Sequence, residues 1–151
     1  MKYETQITHN ILIPFKYAKE GEFVDAKTIT VKAPSNKVLP YLAVIQQEYA
    51  KSMFAISEKS KEIPKEISKT KTNDNSDAEG MIFLMSANSD MQKVYDNFRK
   101  ILVEGNAKEP ICVIDNSEKM TMPIYEDISP RDINIILGRY IISFLGFSQN
   151  N

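Results

Sequence analysis

Arginine, histidine, cysteine and tryptophan are scarce in this chain, and each shortage removes a class of function. Tryptophan does not occur, and the arginines are Arg99, Arg131 and Arg139 alone. Guanidinium forks read phosphates and base edges, and aromatic stacking holds single strands, so nucleic acid is a poor fit. The charge balance agrees. A formal net charge of -1 leaves no field of one sign to draw polyanions or acidic lipid. The single cysteine, Cys112, excludes an intrachain disulfide and fits a reducing compartment. No apolar run nears the ~20 residues of a membrane span, and the opening MKYETQITHN holds no signal core. The reading is of a cytoplasmic protein without membrane or nucleic-acid partners.

Chemistry is equally sparse. His9 sits on the apolar side of an alternating segment, where a general base could stand, although a partly buried, hydrogen-bonded histidine is the plainer reading. Cys112 lies within Ile-Cys-Val-Ile, a setting for a small buried hydrophobe and not for a reactive thiol. Zinc needs about four Cys, His or carboxylate ligands at close spacing, and the chain has no such cluster. Asp74, Asp77 and Glu79 echo a calcium loop but lack its spacing and glycine, so they read as a solvated acidic linker. The five glycines are scattered and build no phosphate loop. Glu126, Asp127 and Asp132 surround a helix start and read as dipole partners. Neither an active site nor a cofactor is expected.

What the chain does contain is apolar periodicity. Hydrophobic residues make up 42% and charged residues 26% of 151 positions. A chain of that length buries about 68–70% of its unfolded surface, enough for one core. Over 5–17 the apolar residues alternate, through Ile7, His9, Ile11, Ile13, Phe15 and Tyr17, which predicts a strand with one buried face. Pro14 lacks an amide donor and marks an edge or a bulge. Gly21 suits a turn, and 23–33 predicts the returning strand of a hairpin occupying 1–34.

Pro34 stops that strand. Ser35 or Asn36 is placed to cap a first helix over 35–57, with Pro40 in its first turn. Val38, Leu42, Ile45, Tyr49, Met53 and Ile56 give it an apolar stripe, widened by Leu39 and Phe54. Residues 58–79 are rich in Lys, Glu, Ser, Thr and Asn and predict a flexible polar linker. Residues 80–147 read as a helical C-terminal part. Met81 to Met85 form a helical turn or the start of a second helix, which Ser89 or Asp90 caps. Met91, Val94, Tyr95, Phe98, Ile101 and Leu102 form its stripe, and Gly105 ends it. Ile111 to Ile114 is a short strand or buried extended segment. The last helix is the best marked: Ser129 caps it, Pro130 takes its first position and Asp132 lies in its first turn. Ile133, Ile136, Leu137, Tyr140, Ile141, Phe144 and Leu145 cover a wide face, and Gly146 closes it. The fold class is α+β, mostly α: a hairpin, three main helices and a polar insert in one domain.

The order of these elements carries a resemblance. A strand, KTITVKAPS, leads directly into a Pro-containing helix start, and a late helix introduced by ISPRDI finishes in YIISFLGF. In that arrangement the chain resembles the tail assembly chaperones of long-tailed bacteriophages. The insert at 58–79 departs from their compact pattern. The resemblance implies a non-enzymatic role: binding the tape measure protein, keeping it soluble and recruiting tail tube subunits. The seven methionines suit core packing or an adaptable binding face. The faces of the first and last helices are the expected contact surface, through Leu42, Ile45, Tyr49, Met53, Phe54, Ile136, Tyr140 and Phe144. Weak self-association fits too, and the alternative is a small self-associating virion or connector subunit.

Overall fold

The structure, a computed structural model, describes residues 5–59, 75–104 and 110–145. Its strands are β1 (Gln6–Asn10), β2 (Lys16–Lys19), β3 (Glu22–Asp25), β4 (Thr28–Lys32), β5 (Cys112–Ile114) and β6 (Glu118–Lys119). Its helices are α1 (Leu39–Lys59), α2 (Asn75–Ser86), α3 (Met91–Glu104), α4 (Met122–Asp127) and α5 (Pro130–Phe144). The fold is α+β and mostly α, with the N-terminal hairpin ahead of the helices.

The hairpin is bent. β1 pairs antiparallel with β4, and β2 with β3, but as two separate sheets. The uninterrupted strand expected over 5–17 is broken between Asn10 and Lys16, where Pro14 removes a ladder donor. The turn at its tip uses Glu20 and Gly21, both at positive φ, a conformation that glycine adopts without steric cost. The larger sheet runs β1-β4-β5-β6. Ile111 to Ile114 therefore supplies a strand beside β4, with Ile29 opposite Ile114 and Val31 opposite Cys112. Asp115 and Asn116, in the three-residue connection between β5 and β6, both sit at positive φ, a conformation that aspartate and asparagine tolerate better than most residues.

The helical boundaries differ from those expected. A short 3-10 turn over Asn36–Val38 precedes α1, and Ser35 makes no side-chain cap bond there. The expected polar linker over 58–79 is helical in both of its described parts, because the first helix continues through Lys59 and α2 begins at Asn75; residues 60–74 lie outside the described region. Asp77 and Glu79 are thus helical and not part of an acidic loop. Ala78, Met81, Ile82 and Met85 give α2 a buried stripe of its own, separated from α3 by 87–90. The described residues accordingly contain four long helices, one more than expected. Gly105 and Gly146, read as helix ends, lie outside the described residues.

One hydrophobic cluster joins sheet and helices, including Ile29, Ile45, Met85, Phe98, Ile114 and Leu137. α1 packs antiparallel on α3: Tyr41 donates to Glu104 at 3.2 Å near one end. At the other, the amide of Asp90 donates to the buried Glu48 carboxylate at 2.8 Å. That contact satisfies a donor at the start of α3 and holds the Glu48 carboxyl below its usual range despite burial. α5 is the central helix, with Ile135, Ile136, Leu137 and Tyr140 fully buried. It packs closely on α2: a Cβ built at Gly138 would lie 2.4 Å from the carbonyl oxygen of Ala78.

Candidate partner-binding surface

The eight residues expected to meet a partner divide sharply by exposure. Leu42, Ile45, Tyr49, Ile136 and Tyr140 are core residues, none more than 7% exposed. Their stripes face the sheet and the other helices, so they hold the fold together and are not a contact surface in this conformation. Met53 and Phe144 are partly buried against the core, Phe144 edge-on to Tyr140 with ring centroids 5.1 Å apart. Of the eight, only Phe54, at 68%, is well exposed. The expectation that the α5 face meets a partner is therefore corrected: α5 is buried on nearly all sides, because α2 covers the face a three-helix layout would leave open.

A residue missed in the sequence joins Phe54. Phe83 on α2 is 75% exposed. The hydroxyl of Ser52, two residues before Phe54, donates to the carbonyl of Leu84, next to Phe83, at 3.4 Å. Two exposed phenylalanines thus lie on the two helices that meet at this contact, within two residues of it along the chain. The signal was present: Ala78, Met81, Ile82 and Met85 fall at helical spacing, and Phe83 lies off that stripe. Treating Met81 to Met85 as one apolar run hid it. Other exposed apolar side chains are Leu12 and Ile13 at the hairpin bend, Phe23 near its tip and Leu39 at the start of α1.

The groups with chemical character are structural in their placement. His9 is 1% exposed, and its Nε2 lies 2.6 Å from Asp132 Oδ1. Asp132, completely buried, also accepts from the amides of Leu12 at 2.8 Å and Ile13 at 3.0 Å and from the Ser129 hydroxyl at 2.8 Å. Burial alone would raise its pKa. The donors together outweigh burial and hold the carboxyl below the usual aspartate range. An ionised carboxylate only accepts, so Nε2 carries the hydrogen. Asp132 is therefore more than a helix-dipole partner, because it satisfies the amides released where β1 breaks from β2.

Asp115 does the same across the bend. Its Oδ1 accepts from the amides of Lys27 and Thr28 at 2.8 and 2.9 Å, and its Oδ2 accepts from Tyr17 at 2.9 Å. Burial and then this bond push the Tyr17 hydroxyl up to about 12. Cys112 is fully buried, and burial pushes its thiol far up, away from the reactive thiolate. β4 lies between its strand and that of His9, so about two strand spacings, roughly 10 Å, part them. Among the described residues no group of three or more His, Cys, Asp and Glu side chains could hold a metal ion, and no helix is long and apolar enough to cross a membrane.

One open cleft stands apart from the phenylalanine pair. It has a volume of about 320 Å³ between α3, α4 and the start of α5, lined by Tyr95, Tyr125, Glu126, Ile128, Pro130, Ile133 and Asn134. Tyr95 donates its hydroxyl hydrogen to Asn134 Oδ1. Pro130 follows the Ser129 cap, whose oxygen accepts the Asp132 amide at 3.0 Å, so the capping chemistry of α5 also shapes this wall. No protein-family model, curated protein or solved structure matches the chain.

Proposed function

We propose that this protein is a non-enzymatic tail assembly chaperone of a long-tailed bacteriophage, covering apolar helical segments of the tape measure protein and delivering it to tail tube subunits in the host cytoplasm. The observation that carries the binding reading is the exposure of Phe54 and Phe83 at the α1–α2 joint. Large aromatic side chains that are mostly exposed mark a surface that gains by being covered. A tape measure protein presents long apolar helical stripes, which suit the helix-in-groove mode of recognition. Fully burying one phenylalanine contributes about 1.5–3 kcal/mol before the costs of association, so the two together support at most a few kcal/mol, on the order of a hundredfold in affinity.

Co-expression with the tape measure protein of the same genome tests the reading. The client is expected in the soluble fraction with the wild-type chain and in the pellet with a Phe54→Asp, Phe83→Asp double variant. Both positions are exposed, so the variant keeps its fold, which circular dichroism checks. A client equally soluble with both chains, or with neither, removes the proposal.

A further inference from the structure

The cleft beside α4 has a composition that selects its occupant. Tyr95, Tyr125 and Ile133 line it together with Glu126, the one acidic residue of the lining. Glu126 is exposed and has no ion-pair or hydrogen-bond partner among the described residues. Arg99, whose charge reaches Tyr125, lies 3.9 Å from Met122 Sδ and 3.9 Å from Asp96 and is not among the residues that line the cleft. The cleft is thus lined by two aromatic residues and one exposed acidic residue that no described cation pairs. Tyrosine faces attract cations through the ring quadrupole, and a long alkyl stem packs on the same rings while its charged head stays wet. Tyr95 is held in place by its bond to Asn134, so one wall is set before binding.

We infer that this cleft seats a lysine or arginine side chain of a protein partner, its stem against Tyr95 and Tyr125 and its charge on Glu126. The site is separate from the phenylalanine pair and does not depend on the chaperone reading. It gives the chain a charge-selective contact, which sets register and partner choice more than raw affinity.

The test is an NMR titration of the whole chain with the capped tripeptides Ala-Lys-Ala and Ala-Arg-Ala, with Ala-norleucine-Ala and with tetramethylammonium. Saturating shifts are expected at the Tyr95 and Tyr125 rings and the Asn134 amide with the basic peptides. Glu126→Gln, at an exposed position, is expected to weaken binding about threefold or more, as is raising salt to about 0.5 M. A norleucine peptide that binds as well as the lysine peptide overturns the charge recognition. Tetramethylammonium binding tighter than either basic peptide overturns a protein side chain as the occupant. Absence of saturating shifts at these residues overturns the site.

Discussion

Two glycines in the helices that pack together respond to alanine with opposite signs. At Gly138 in α5, the added Cβ would meet the carbonyl oxygen of Ala78 at 2.4 Å and its carbonyl carbon and Cα at 2.8 Å each. All three are backbone atoms, so no side-chain rotation relieves the clash, and α2 and α5 must move apart by roughly 1 Å to restore contact near the usual van der Waals range. Overpacking of this kind costs typically ~1–3 kcal/mol, and an obstacle made of backbone belongs at the upper end. Alanine returns up to about 1 kcal/mol of helix propensity. The net expectation for Gly138→Ala is a loss of about 2 kcal/mol. At Gly80 in α2 nothing lies within 4 Å of the added Cβ, so Gly80→Ala gains up to about 1 kcal/mol from propensity alone. Urea unfolding followed by circular dichroism reads both values. Ala78→Gly is expected not to rescue Gly138→Ala, because the clashing atoms remain. A Gly138→Ala protein as stable as the wild type would falsify the close α2–α5 approach.

Asp132→Ala removes the acceptor for two amides, His9 and Ser129, and is expected to cost about 3 kcal/mol or more, because each buried donor left unsatisfied costs about 1–3 kcal/mol; thermal unfolding measures it. The Asp132 and Glu48 carboxyls are both held below their ordinary values. Their contribution is therefore complete above the unfolded pKa values near ~4 and is lost as pH falls through the folded ones. Urea midpoints at stepped pH are expected to be flat with respect to these groups above pH ~5 and to drop below pH ~4, less steeply in Glu48→Gln. Tyr140 is fully buried, and its hydroxyl has no hydrogen-bond partner among the described residues. Tyr140→Phe is expected to keep or raise the melting temperature, because an unsatisfied buried hydroxyl costs about 1–3 kcal/mol; a fall of several degrees would show that the hydroxyl is satisfied.

The parts of the fold legible in the sequence are those fixed by local chemistry. Ser129, Pro130 and Asp132 announce the start of α5 within four residues, and the cap is present. The alternation around Ile7 and His9 gives the buried face of β1, confirmed by the exposure pattern of that strand. What stayed hidden depends on contacts distant in the chain. The role of Asp132 requires Leu12 and Ile13, which reach it only after α5 packs near the hairpin. The bend they form could not be read from an alternation that continues through Ile13 and Phe15. α2 was hidden by the polar start of its own helix, where Asn75, Ser76 and Asp77 look like linker. Missing it had a direct consequence for the binding surface. Without α2, the α5 face seemed free and Phe83 belonged to no surface. Tyr95, Tyr125 and Glu126 likewise form a cleft only through the packing of α3 on α4.

The central claim, that the phenylalanine pair at the α1–α2 joint is covered by a tape measure helix, is tested most directly by site-specific photo-crosslinking. A benzophenone amino acid is placed at position 54, at position 83 or, as a control, at the exposed Lys119, and the chain is co-expressed with the tape measure protein. Adducts are expected from positions 54 and 83 and not from 119. Adducts from 119 alone, or from none of the three while the two proteins still co-purify, would contradict the account.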